Sequence, residues 1–113
     1  MNIERGQPLT ESTYLVLISL APGPLHGYAI LKRVEEISDD AVTLGTGTLF
    51  GILRRLLEVG WIERRDPTRR ATDNRGQKHY ALTRVGKRAL SAEQSRLEQL
   101  ARLGRRITRE ART

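Results

Sequence analysis

The sequence predicts a mainly α fold with a small β-hairpin and one long final helix, and three observations carry that expectation. Leu49, Ile52, Leu53 and Leu56 recur at i, i+3, i+4 and i+7, the spacing of a single buried helix face. Trp61–Arg65 and Gln77–Leu82 alternate in the manner of strands, with a basic, turn-rich stretch, Asp66–Gly76, between them. From Arg84 to about Ala111 no proline intervenes, and Val85, Ala89, Leu90, Leu97, Leu100, Leu103 and Ile107 fall at helical intervals. A chain of 113 residues has room for one domain with a modest core.

The elements follow in order. Residues 1–8 read as a flexible N-terminal arm ending at Pro8. Thr10 is placed to cap a helix from about Glu11 to Ala21. Tyr14 to Ile18, with Leu20, is apolar nearly all round, so this helix should be buried on two sides. A buried strand is the rival reading, since the run is partly β-branched; the cap and the Pro22-Gly23-Pro24 stop favour the helix. A second helix is expected from about His26 to Ile37. Its apolar set is Tyr28, Ile30, Leu31, Val34 and Ile37, and Ser38-Asp39-Asp40 ends it. Ala41–Leu44 is β-prone and suits a short strand. The third helix opens in small residues after Gly45 and stops at Gly60, a residue that readily takes the left-handed conformation. Thr83 is placed to cap the last helix.

Composition narrows the function. The net charge is +7 and is unevenly spread: −3 over residues 1–63, +4 over 64–83 and +6 over 84–113. That balance favours a polyanionic partner. Aromatics make up 4%, too little bulk for a deep cofactor pocket beside a core. No cysteine is present, which excludes disulfides and thiolate chemistry. The longest apolar run, Tyr14 to Ile18, is far too short to span a bilayer, and the first five residues lack a secretion signal. A cytoplasmic protein with no membrane partner is expected. Nothing resembles a zinc-binding His-Glu-x-x-His set, a phosphate-cradling glycine loop or a catalytic carboxylate pair. No catalytic residue, metal or cofactor is therefore assigned. His26 suits a structural role at a helix start, and His79 has no partner in sequence.

Helix, helix, short strand, helix, strand, loop, strand is the order of a winged helix-turn-helix, here over residues 9–83. Residues 84–113 then form a C-terminal dimerisation helix with a basic tail. At 100° per residue, the front of the third helix carries Gly47, Gly51, Arg54 and Glu58. Phe50 flanks it on one side, and Thr48 and Arg55 on the other. Such a front fits a DNA groove. Arg54 is the candidate for a base edge, through bidentate bonding to guanine. Thr46 and Thr48, with nearby backbone N–H groups, suit a phosphate. Gly47 and Gly51 permit close approach, and Phe50 suits a thymine methyl or a sugar. Arg69, Arg70, Arg75 and Lys78 on the hairpin suit flanking phosphates or a minor groove. Arg102, Arg105, Arg106, Arg109 and Arg112 read as a solvated helix face. Leu90, Leu97, Leu100 and Ile107 make a sparse heptad seam, interrupted by Glu93 and Gly104. Pairing with a second copy through that seam, and through Tyr14 and Leu17 of the first helix, would cover it.

Three stretches resemble the PadR-type transcriptional regulators, over about residues 9–100. They are Gly23-Pro24-Leu25-His26-Gly27-Tyr28 with Ile30; Gly47-Thr48-Leu49-Phe50 through Leu53-Arg54-Arg55-Leu56 to Glu58-Val59-Gly60-Trp61-Ile62-Glu63; and Lys78-His79-Tyr80-Ala81-Leu82-Thr83 with Gly86. The single C-terminal helix is similar to the shorter subgroup of that family. Gly45-Thr46 stands where members usually have Ser-Pro, Phe50 where they have tyrosine, and Gly51 where proline is common. The resemblance implies a homodimeric regulator of transcription, most often a repressor. It would bind double-stranded DNA at a pseudo-palindromic operator and respond to a small-molecule effector or another signal. The sequence assigns no effector site. From charge alone, a basic RNA- or ribosome-binding module is one alternative; a protein-interaction module that uses the winged helix without DNA is another.

Overall fold

The computed structural model describes residues 8–66 and 78–112. Their elements run α1 (Glu11–Ser19), β1 (Leu25–His26), α2 (Gly27–Ile37), α3 (Thr46–Glu58), β2 (Ile62–Arg64), β3 (His79–Leu82) and α4 (Arg84–Ala111). This is a winged helix-turn-helix followed by a long helix, as the element order predicts. The arm proposed for residues 1–8 lies outside the described residues except for Pro8.

Three helices start on a side-chain cap. Thr10 Oγ1 accepts from the Thr13 N–H at 3.2 Å, His26 Nδ1 from Ala29 at 3.2 Å, and Thr83 Oγ1 from Gly86 at 3.0 Å. Each satisfies one donor that a helix otherwise leaves open. His26 thus caps α2 rather than forming its first residue. Gly60, at φ +79°, closes α3 as expected. The Trp61 N–H reaches the Leu56 carbonyl at 3.0 Å and the Gly60 N–H reaches Leu57 at 3.1 Å, a Schellman pair. The end of α2 repeats that pattern, with the Asp40 N–H on Glu35 at 2.8 Å and the Asp39 N–H on Glu36 at 3.2 Å. There the left-handed residues are Asp39 and Asp40, so the chain adopts a glycine-like turn without glycine.

The sheet is small and antiparallel, in the order β1-β3-β2. Leu25 pairs with Tyr80 and His26 with His79 on one side; Ile62 pairs with Leu82 and Arg64 with Tyr80 on the other. The strand expected at Ala41–Leu44 is not formed. The third strand is Leu25–His26 instead, paired with β3, while the Ala41 segment runs into α3 without strand pairing. Leu44 contributes a buried side chain from an irregular stretch.

The core gathers Leu15, Val16, Leu17 and Leu20 from the α1 region, Ile30 and Val34 from α2, and the α3 back of Leu49, Ile52, Leu53 and Leu56. Tyr80 and Leu82 of β3 and Leu90 of α4 close it. Two corrections follow. Tyr28 does not belong to the inward face of α2; it is 64% exposed. Leu17 and Leu90, expected to meet a second copy, are buried within this chain's own core and offer no surface to one.

Candidate nucleic-acid interface

The third helix divides cleanly into back and front. Its back, Leu49, Ile52, Leu53 and Leu56, is almost wholly buried. Thr46, Gly47, Thr48, Phe50 and Arg54 are exposed, and Gly51 is half-buried. Nothing lies within 4 Å of where a Cβ would stand on Gly45, Gly47 or Gly51. The front therefore offers backbone at short range to whatever approaches it. Arg54 has no ion pair among the described residues. Glu58, one turn further on, is also exposed. Its charge makes the C-terminal end of the front less welcoming to a polyanion, so the favourable end is the first two turns.

The start of α3 differs from the other helix starts. Gly45 is its N-cap and offers no side-chain acceptor, so the first-turn N–H groups face outward without one. These donors and the positive end of the helix dipole suit an anion. Thr46 and Thr48 stand beside them, as the sequence predicts.

Phe50 faces α2. Its ring lies against Gly27, where a Cβ would stand 3.2 Å from Phe50 Cζ. The ring is 43% exposed, half seated on α2 and half on the front. Arg55 projects from the flank away from Phe50. Its Nε is buried without a hydrogen-bond partner among the described residues, so it is less free than Arg54. The structure thus sharpens the division the helical wheel makes between Arg54 on the front and Arg55 on the flank.

The hairpin begins with paired charges. Arg64 forks onto the Asp66 carboxylate, and Arg65 pairs with Glu63. Asp66 also accepts the His79 N–H at 2.9 Å, tying the ends of β2 and β3 together. The Arg64 hydrogen bond holds the Asp66 carboxyl below its ordinary range, helped by the His79 N–H. Lys78 is exposed at the start of the returning strand. Arg69, Arg70 and Arg75 lie outside the described residues.

The last helix is rooted and then free. At its root, Thr83 Oγ1 donates to the Gly60 carbonyl at 2.6 Å, and the Thr83 N–H reaches the Trp61 carbonyl at 3.0 Å. Glu93, which interrupts the apolar seam, is buried. It accepts from Arg96 at 2.7 and 2.9 Å and from the Leu9 N–H at 3.4 Å. The signal for it was present, since Arg96 stands three residues on. Beyond it Leu97, Leu100, Leu103 and Ile107 are all exposed, Ile107 by 52%. Tyr14 on α1 is half-buried. Among the described residues no group of His, Cys, Asp or Glu could hold a metal ion, and no helix is long and apolar enough to cross a membrane.

Comparison with known proteins matches residues 16–92 to the family model described as the transcriptional regulator PadR-like family. An uncharacterized 37.1 kDa protein in transposon TN4556 of Streptomyces fradiae is 36% identical over 101 residues. The match takes in 89% of this chain, which spans only 26% of that protein's length. A PadR family transcription regulator from hypervirulent Clostridium difficile R20291 has the same fold, with a TM-score of 0.73 at 22% identity, covering 88% of this chain and 99% of that one. Bacillus subtilis PadR, solved in complex with operator DNA, aligns with a TM-score of 0.58 at 26% identity. That alignment covers 71% of this chain and 44% of the other.

Proposed function

Because the chain belongs to the PadR-like family of transcriptional regulators, we propose that it is a non-enzymatic, sequence-specific double-stranded DNA-binding protein that acts as a dimeric repressor. The observation that carries the reading is the front of α3. It is bare backbone at Gly47 and Gly51, uncapped at Gly45, and ends in an exposed Arg54 with no carboxylate partner among the described residues. A solvated surface helix gains nothing from an interior glycine such as Gly51, which costs about 0.5–1 kcal/mol relative to alanine, nor from an open first-turn glycine such as Gly47. A helix pressed into a groove does. Bacillus subtilis PadR, solved in complex with operator DNA, supports DNA as the partner.

In this reading α3 enters the major groove with its N-terminal turns leading. Arg54 bonds a guanine edge, while Thr46, Thr48 and the free first-turn N–H groups hold a phosphate. Phe50, steadied on Gly27, meets a sugar or a thymine methyl, and Arg55 stays at the groove wall. The wing, with Lys78, Arg69, Arg70 and Arg75, takes the flanking backbone. Leu97, Leu100 and Ile107, joined by Tyr14, pair two copies. Two-fold symmetry then sets half-sites about one helical turn apart or a multiple of it. Repression follows from occupying promoter DNA in the cytoplasm.

Selecting bound fragments from genomic DNA yields the operator, and titrating variants against it tests the assignment. Arg54→Ala is expected to cost about 1–3 kcal/mol on the operator and to relax specificity at one base position. Parental affinity and specificity in that variant would remove α3 as the reader. Leu97→Glu with Leu100→Glu is expected to give the sedimentation mass of a monomer; an unchanged dimer mass removes the proposed seam.

A further inference from the structure

Tyr28 is the most exposed large apolar side chain among the described residues, yet it sits in a helix with a well-defined inward face. That face is Ile30 and Val34. At 100° per residue Tyr28 and Lys32 project from about the opposite side, one above the other. The Lys32 ammonium lies 5.8 Å from the centre of the Tyr28 ring, within cation–π range. Neither is used elsewhere in the fold. The nearby carboxylate of Glu36 is taken by Arg33 at 3.2 Å, and Lys32 has no carboxylate partner among the described residues.

Position gives the pair its meaning. Gly27, the residue before Tyr28, touches the Phe50 ring, and Phe50 borders the front of α3. This end of α2 therefore packs against the Phe50 flank of α3, and one residue on from that contact α2 presents the exposed Tyr28 phenol with the Lys32 ammonium one turn further along. When a recognition helix lies in the major groove, the helix before it crosses the sugar–phosphate backbone. Groups on the exposed side of that helix, beside the recognition helix, are then the ones that meet phosphate.

We propose that Tyr28 and Lys32 form a phosphate clamp on the DNA strand bordering the groove that α3 reads. The phenol O–H donates to a phosphate oxygen. The ammonium, held over the ring, supplies the charge to the same group. The pair positions α3 along the duplex and carries no sequence information of its own. This rests on the reading of α3 as a groove-binding helix.

The test uses the full chain, the selected operator duplex and an unrelated duplex over a series of salt concentrations. Lys32→Gln is expected to lower the slope of log K against log salt by about 0.9 per chain bound, and to weaken both duplexes alike. Lys32→Arg keeps the charge and is expected to retain the parental slope. Tyr28→Phe keeps the ring and the held ammonium but removes the hydroxyl. It is expected to bind about tenfold more weakly at every salt with the slope unchanged. Thermal melts of these exposed-site variants should match the parent. A Lys32→Gln variant that keeps the parental slope overturns the clamp, and so does one that loses only operator specificity. Arg54→Ala in the same assay keeps the two readings apart. If it relaxes specificity while Lys32→Gln changes nothing, α3 stands and the clamp falls. A parent that binds neither duplex overturns both.

Discussion

At Gly51, in the middle of α3, nothing lies within 4 Å of where a Cβ would stand; at Gly86, in the first turn of α4, the same atom would run into the Trp61 carbonyl. Both glycines interrupt a helix, and each costs helix stability through the freedom it loses on folding. At Gly86 the space is consumed inside the protein. The backbone after α3 comes so close to α4 that no side chain fits between them, and Thr83 adds two hydrogen bonds across the same joint. At Gly51 the space is left outside, facing solvent. One glycine is explained by a neighbour in the chain, and the other asks for a neighbour from elsewhere. Helix propensity does not tell the two apart; only the surroundings separate a packed glycine from an open one.

The largest effect should come from putting a methyl group on the packed side. Gly86→Ala is expected to cost about 3 kcal/mol, measured by denaturant unfolding, because the obstacle is a backbone carbonyl already engaged by the Thr83 N–H. A variant within about 0.5 kcal/mol of the parent would mean that the joint yields, and the contrast would disappear. Gly51→Ala should do the reverse. The fold is expected to gain about 0.5–1 kcal/mol while duplex binding weakens. Unchanged binding would show that the open space in front of α3 serves no ligand. The smallest effect lies further along α4 and shows only in acid. The hydrogen bond from Arg96 holds the Glu93 carboxyl below its ordinary range, with a smaller contribution from the Leu9 N–H, while burial pushes the other way. Its folded value is therefore lower than its unfolded one. The stability it adds is complete above the ordinary glutamate value near 4.5 and is lost as pH falls through the folded value. Glu93→Gln should flatten the stability–pH curve below about pH 4.5; an acid limb as steep as the parent's would place that dependence on another carboxyl.

The four helices were legible because each signals locally. Thr10 and Thr83 cap, Gly60 stops, and the α3 back repeats at 3.6 residues. What escaped was set by partners distant in sequence. Leu25–His26 is a strand only because Tyr80 and His79 lie beside it, fifty-odd residues away. Ala41–Leu44 has the propensity but stays unpaired, with Leu44 drawn into the core. Tyr28 fits an apolar list by residue type while its angle puts it outside. Leu17 fits both an inner core and an outer seam, since the all-round apolar α1 does not say which side closes on its own chain, and Leu90 lies on the same apolar stripe of α4 as the exposed Leu97. For the candidate site, Arg54, Thr46, Thr48 and the two open glycines stand where the spacing puts them. The helical wheel already sets Arg54 on the front and Arg55 on the flank; the burial of the Arg55 Nε was not legible, because it depends on the rest of the fold placed around it.

The bond from the Leu9 N–H to Glu93 joins residues 84 apart in sequence, and α1 packs on α4 beside it. That has a consequence for a chain emerging from the ribosome. Leu15, Val16 and Leu17 leave the tunnel early, but Leu90, which completes their cover, is made some 75 residues later. At 5–20 residues per second the interval is roughly 4–15 s. Through that time the most apolar helix of the protein must stay sheltered without its final neighbour, so the order of synthesis runs against the order of burial.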